Sequence, residues 1–215
     1  YVCYLAGSVR KLVPRELVNQ GVIVTNWGNS IAATVAECTL MLTLMALRRA
    51  SHWAIAMHRE AAWKNGAPDT QSLIGRRVGL HGFGAISQAL VPMLRPFTDS
   101  IHTYSPRVPD EILVQHGVKR SQSLEELFST SDIIVELAAA TPENFRIVTE
   151  SHLRLIPEGG VFVNVGRGCV VDEAALARVA WTRWHRICHR QPTDHLERNA
   201  ECEVESPPDR HGAIH

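Results

Sequence analysis

Two runs in this chain, residues 133–137 and 161–165, set β-branched and aromatic residues at successive rather than alternating positions. A strand of that kind is buried on both faces, and a parallel sheet with helices above and below it is the arrangement that achieves this. The flanking sequence supplies the crossovers, since short β-rich runs alternate with amphipathic segments from residue 75 to residue 176, the order of an α/β chain. Val78 and Leu80 alternate within 77–81 and predict a strand. A Gly-rich turn follows, then Ile86, Leu90, Met93 and Leu94 at helical spacing, with Pro92 expected to kink that helix. Strands are also predicted over 101–104, 133–137 and 161–165, the last after the turn Pro157-Glu158-Gly159-Gly160. A short helix is expected over 124–128, and another from Asp172, a good N-cap residue, to about Val179. Upstream, 22–25 is a short β-branched run. The spacing Val35, Leu40, Leu42, Leu44 and Leu47 predicts one long helix from Ala32 to Trp53 and beyond.

The 215 residues, 45% hydrophobic and 20% charged, suffice for one globular domain and a fragment of another. Lys and Arg (22) balance Asp and Glu (22), which removes the basic footprint of a nucleic-acid or acidic-membrane binder. The most apolar stretch, 31–47, is interrupted by Thr34, Glu37 and Cys38 and falls short of the roughly 20 apolar residues of a membrane helix. A soluble chain is expected. Cys3, Cys38, Cys169, Cys188 and Cys202 are odd in number, form no C-x-x-C pair and follow no secretory segment, so they fit a reducing cytoplasm.

The ends read differently from the middle. The chain opens at Tyr1 without Met, and residues 1–5 read as a buried strand, so an upstream part of a longer protein is expected. From Ala177 to His215 there are six Arg and five of the eleven His, but only five residues from the set Val, Ile, Leu, Met and Phe. Such a stretch covers little core. His185, Cys188 and His189 lack a fourth partner at metal-binding spacing, so no metal site is expected.

Gly82-Phe83-Gly84-Ala85-Ile86-Ser87 stands where a strand turns into a helix, as a dinucleotide-binding turn requires. Gly82 permits the tight turn, and Gly84 lets the backbone approach a pyrophosphate with no Cβ in the way. The free N–H groups at Ala85 and Ile86, opening the next helix, favour negative charge. Ser87 takes the place where a third glycine usually allows close helix–strand packing. The motif alone fits an ordinary Gly-rich turn as well; its strand–helix context favours nucleotide binding. The cofactor-selecting position lies about twenty residues on, where a carboxylate would bind the adenosine ribose of NAD. The sequence there is Tyr104-Ser105-Pro106-Arg107, with no acid to repel a 2′-phosphate and with Ser105 and Arg107 able to bind one. This leans toward NADP, while Asp110 or a backbone contact leaves NAD open.

Several ordered motifs together resemble the D-isomer specific 2-hydroxyacid dehydrogenase family: Gly21-Val-Ile-Val-Thr-Asn26, Val35-Ala36-Glu37, Arg48-Arg49, and Gly75 through Ile86. Ser131-Asp132-Ile133-Ile134, Thr141-Pro142-Glu143-Asn144, Asn164-Val165-Gly166-Arg167-Gly168 and Val171-Asp172-Glu173-Ala174-Ala175-Leu176 continue the likeness, which covers about residues 1 to 176. The resemblance implies an α/β fold: a Rossmann-type doubly wound parallel sheet, with a partial flavodoxin-like substrate domain at the N-terminus. It divides the chain into a substrate-domain remnant over 1–27, an NAD(P)-binding domain over 28–180 and an unassigned tail over 181–215. It implies an oxidoreductase that uses NAD or NADP to move hydride between nicotinamide and C2 of a 2-hydroxy or 2-oxo acid.

Site residues follow from the same resemblance. Arg167 would fork to the carboxylate and carbonyl of a 2-oxo acid, a task suited to planar guanidinium geometry. Val165 and Gly166 would line the nicotinamide by backbone contact, as would Ala139 and Asn144, where the family more often has Pro and Thr. Gly7 and Ser8, in Ala6-Gly7-Ser8-Val9, align with the loop that holds the substrate carboxylate. The helix over 32–60 is the one that packs across a homodimer in this family; a core helix of a monomer is the other reading. The family's catalytic histidine and its glutamate would follow Arg167, in a Glu-Pro and then a Pro-His segment, and the tail has neither. A reading-frame shift just after Leu176 is favoured over a divergent tail, because the composition changes abruptly there. If the tail stands as written, the chain is expected to be a fragment that binds nucleotide without turnover, lacking the last strands of its cofactor domain.

Overall fold

The computed structural model describes residues 1–5, 9, 12–61, 70–183 and 187–189. Gly7, Ser8, His185 and everything beyond His189 lie outside the described residues. At the N-terminus, β1 (Val2–Cys3) and β2 (Val24–Thr25) form a two-stranded parallel pair around α1 (Arg15–Asn19). Residues 1–5 were expected to be a buried strand. Instead Tyr1 and Leu5 are 78% and 74% exposed, because this two-stranded sheet has no further layer packed on it among the described residues.

The expected long helix is two helices, α2 (Ala32–Arg48) and α3 (Ala50–Glu60), separated by Arg49 at φ 54°, ψ 38°. A left-handed residue with a Cβ costs roughly 1–2 kcal/mol and carries no sequence signature when it is Arg. α2 turns Val35, Ala36, Thr39, Thr43 and Leu47 inward and packs along α4 (Ala85–Leu94). The buried Thr39 and Thr43 hydroxyls donate to the carbonyls of Val35 and Thr39, one turn back.

The main sheet has six parallel strands in the order β5-β4-β3-β6-β7-β8. They are β3 (Val78–His81), β4 (Ile101–Tyr104), β5 (Lys119–Arg120), β6 (Ile133–Glu136), β7 (Val161–Asn164) and β8 (Ile187–His189). From β3 the chain runs outward through β4 and β5, then crosses back to lay β6 on the other side of β3. This reversal makes the carboxyl ends of β3 and β6 the topological switch point. The crossovers are α4, α5 (Asp110–Gln115), α6 (Leu124–Thr130), α7 (Glu150–Leu155) and α8 (Glu173–Arg183).

Successive residues of β6 and β7 feed opposite cores, as their apolar runs predict. Ile133, Val135, Val161 and Val163 join α2, α4 and α5, whereas Ile134 and Phe162 pack among Leu127, Phe128, Leu153 and Leu176 on the other face. α4 runs through Pro92, which lies in its last turn, and ends at Leu94. Asp172 caps α8 by accepting the Ala175 N–H at 3.0 Å. The region after Ala177 contributes more than its composition suggests: Val179 is fully buried, and β8 extends the sheet beyond β7 as its sixth strand. The last-strand absence expected from sequence therefore does not hold for this edge.

At the amino edge, Asp132 ties β6 to β3. Its carboxylate accepts the Arg77 backbone N–H at 2.9 Å and guanidinium hydrogen bonds at 3.0 and 3.3 Å. Burial disfavours the Asp132 charge, but these bonds outweigh it and hold its carboxyl below the ordinary value of 3.8. Asp132→Asn should therefore lower stability by about 1 kcal/mol at neutral pH, modest because Arg77 is half exposed. A depressed folded value means the contribution is complete above the ordinary value and is lost as pH falls through the folded one. In urea titrations the gap between parent and variant should be constant from pH 7 down to pH 5 and close in stronger acid.

Candidate cofactor and substrate site

The register of the sheet sets the site. His81 pairs with Tyr104 on one side and Glu136 on the other, and Glu136 pairs with Asn164, so four strands reach their carboxyl ends at one level. Gly82, Ser105, Leu137 and Val165 consequently leave the sheet side by side.

The turn after β3 requires its first glycine. Gly82 has φ 91°, and a Cβ there would lie 2.9 Å from the Ala138 Cα. Its N–H donates to the Tyr104 carbonyl at 2.9 Å. Its own carbonyl accepts the hydroxyl of fully buried Ser87 at 2.8 Å. Ser87 thus fits the tight helix–strand contact and satisfies a turn carbonyl, a role the third glycine of the usual pattern could not fill. Gly84 caps α4 without a side-chain hydrogen bond, and a Cβ on it would meet nothing within 4 Å. Open space therefore lies over the free N–H groups of the first turn, where Ala85 and Ile86 sit half-buried.

The loop after β4 is held from the next strand. Arg120 of β5 donates to Asp110 Oδ1 at 2.6 Å, to the Ser105 carbonyl at 2.7 Å and to the Val108 carbonyl. A cleft of about 460 Å³ opens there, lined by Tyr104, Pro106, Asp110, Arg120 and Ser121 among others. It lies on the β4–β5 side, away from Arg167. Arg107 is 76% exposed along its side chain and reaches Glu143 Oε2 at 3.4 Å, bridging the loops after β4 and β6. In the loop after β6, Asn144 ends a 3₁₀ turn and donates to the Ala139 carbonyl at 2.8 Å.

After β7, the buried Asn164 accepts the Gly166 N–H at 3.0 Å through Oδ1, while its Nδ2 finds no partner among the described residues. The same Gly166 N–H approaches the Glu136 carbonyl at 3.2 Å. Val165 is buried, and Arg167 is exposed at the head of the 3₁₀ turn Gly168–Val170. The structure thus gathers Gly82, Gly84, Ala85, Ile86, Ser105, Arg107, Ala139, Asn144, Val165, Gly166 and Arg167 along one sheet edge. Gly7 and Ser8 fall outside the described residues.

One pair escaped the sequence reading. His81 Nδ1 lies 2.5 Å from Glu136 Oε2, with side chains 4% and 0% exposed. The signal was present: a His and a Glu in strands that otherwise demand apolar residues, at paired register positions.

An open parallel sheet with a glycine turn and an uncapped helix at its switch point defines a dinucleotide-binding α/β protein. The profile of the D-isomer specific 2-hydroxyacid dehydrogenase, NAD binding domain, matches residues 40–188. The chain belongs to this family. It is 30% identical over 157 residues to the D-3-phosphoglycerate dehydrogenase of Methanocaldococcus jannaschii, covering 73% of this chain and 30% of that protein. It is also 30% identical over 175 residues to the glyoxylate reductase of Thermococcus kodakarensis, covering 79% of this chain and 52% of that protein. Among solved structures, the D-isomer specific 2-hydroxyacid dehydrogenase from Polaromonas superposes with TM-score 0.72 at 26% identity, over 83% of this chain and 56% of that one. The formate dehydrogenase of Granulicella shares the fold, with TM-score 0.77 at 21% identity over 90% of this chain and 55% of that one. The chain thus spans about a third to a half of the curated relatives named here.

The two turn glycines should separate by experiment. Gly82→Ala should cost about 2 kcal/mol or more, because both φ and the Ala138 backbone oppose the methyl. Gly84→Ala, in open space, should change stability by less than about 0.5 kcal/mol. Chemical denaturation of the two variants checks this contrast.

Proposed function

We propose that the protein containing this chain is an NAD(P)-dependent oxidoreductase that interconverts a 2-hydroxy acid and its 2-oxo acid. The observation that carries the reading is the uncapped α4 N-terminus beneath the open space at Gly84. A pyrophosphate fits there, since N–H donors face the opening and no side chain fills it. When bound, the nicotinamide supplies the hydride exchanged with C2 of the substrate. Gly82, Gly84, Ala85 and Ile86 would hold the pyrophosphate, and Ala139, Asn144, Val165 and Gly166 would flank the nicotinamide. Arg167, exposed at the carboxyl end of β7, would orient the substrate through its carboxylate and polarise its carbonyl. The exposed apolar residues Met41, Ile55 and Met57 on α2 and α3 support a homodimer built on these helices. No described helix is long and apolar enough to cross a membrane.

The test is a titration of the chain with NADH and NADPH, read by nicotinamide fluorescence, followed by addition of glyoxylate. Saturable binding between about 1 μM and 1 mM is expected. It should weaken about tenfold or more in Gly84→Ala, which keeps its stability, and any glyoxylate reduction should be lost in Arg167→Ala. Failure to bind either nucleotide would reject the reading.

NADP is favoured over NAD. Asp110, the acid the sequence offers to a ribose, is engaged by Arg120, which offsets its repulsion of a 2′-phosphate. Arg107 can exchange its exposed contact with Glu143 for the phosphate. Arg107→Ser should therefore weaken NADPH by about tenfold while changing NADH by less than about threefold, in the same titration.

A further inference from the structure

We propose that His81 and Glu136 are a positioning pair, which sets the spacing of the cofactor loops before any nucleotide arrives. The inference rests on the cofactor reading above and adds to it two residues that contact neither nucleotide nor substrate. They come from β3 and β6, the strands that flank the switch point, and their side chains meet at 2.5 Å at the carboxyl edge. The pair is too deeply buried to touch a ligand, with 4% and 0% side-chain exposure.

Side-chain bonds of the pair and backbone bonds of the two residues that carry it meet at this edge. Glu136 uses its second oxygen, Oε1, to accept the Ala138 N–H at 2.8 Å, fixing the start of the loop that carries Ala139 and Asn144. The Ala138 backbone in turn packs against Gly82, where a Cβ would clash. The Glu136 carbonyl accepts the Gly166 N–H at 3.2 Å, and the His81 carbonyl accepts the Leu137 N–H at 2.9 Å. The His81 ring lies over Tyr104 at 6.0 Å between centroids, next to the loop of Ser105 and Arg107. The side-chain pair therefore joins β3 to β6 directly and holds the Ala138 N–H beside the pyrophosphate turn, while the backbone carbonyls of the same two residues reach Leu137 and Gly166.

A buried polar pair is seldom the most stable choice for such a place. Replacing both partners by apolar residues of similar size is often neutral for stability. What apolar residues cannot do is hold the Ala138 N–H in a fixed direction, so positioning and stability come apart in the double variant. His81→Leu combined with Glu136→Leu should keep the melting temperature within a few degrees of the parent chain and weaken NADH and NADPH about tenfold. Glu136→Gln can still accept from Ala138 and donate to His81, and should bind within about threefold of the parent. In the parent without nucleotide, the Ala138 amide, held by Glu136 Oε1, should already be protected from hydrogen exchange.

Unchanged nucleotide affinity in a folded double variant would overturn the proposal. Glu136→Gln as weak as the double variant would overturn it too, since charge rather than geometry would then matter. If the double variant does not fold, amide exchange decides: an unprotected Ala138 amide in the nucleotide-free parent would show that the pair does not set its loop in advance. A parent chain that binds neither nucleotide would instead reject the cofactor reading on which the proposal rests.

Discussion

The parallel pairing of β3 with β6 is the constraint on which the rest of the molecule depends. These strands are distant in sequence yet adjacent at the centre of the sheet, so their register fixes where the loops on either side emerge. The chain pins that register at both ends with hydrogen-bonded polar pairs. At the amino edge Arg77 and Asp132 form a half-exposed ion pair, and at the carboxyl edge His81 and Glu136 form a buried hydrogen-bonded pair. Between them only apolar residues and Gly79 face the two cores. A one-residue slip would turn every side chain of β6 to the wrong face and break both pairs together.

Helix packing follows from the same centre. α2 precedes the sheet in sequence but lies along α4, so a segment from outside the strand–helix alternation completes one of its faces. The opposite face is closed by α6, α7 and α8, where Phe128 and Phe162 meet at 6.2 Å between ring centroids. With both faces covered, the carboxyl edge is left as the place where backbone N–H groups and polar side chains can face a ligand. The uncapped start of α4 and the exposed Arg167 both lie there.

Elements were legible in the sequence where burial on two faces left a continuous apolar signal. β3, β4, β6 and β7 were read to within a residue, and so was the glycine turn, because a tight strand-to-helix turn demands residues that few other sites need. α5, α7 and the two-residue β5 were missed, for they are too short to show a period. The break at Arg49 was hidden because the left-handed residue is not a glycine. β8 was hidden by its composition: Ile187-Cys188-His189 sits in an Arg- and His-rich stretch, and its place comes from pairing with β7 rather than from its own apolar content. His81 and Glu136 were visible only as exceptions in apolar runs. Reading them as partners required the register between strands 55 residues apart, which no local pattern carries.

The loop after β4 shows why local reading also underdetermines cofactor choice. Ser105 and Arg107 suggest a phosphate site by residue type, but their setting comes from Arg120, which belongs to another strand. By binding the Ser105 and Val108 carbonyls it fixes the loop's course, and by engaging Asp110 it offsets the acid that could have served a ribose. The remaining opposition to a 2′-phosphate is then Glu143, reached by Arg107 across exposed loops where a single ion pair is worth about 0–1 kcal/mol. On the proposed reading, a 2′-phosphate bound by that guanidinium through two oxygens would gain more than the exposed contact loses. On the NADP reading proposed above, the balance at this corner would depend on two arginines acting on different acids, with Arg120 acting only through the course of the loop.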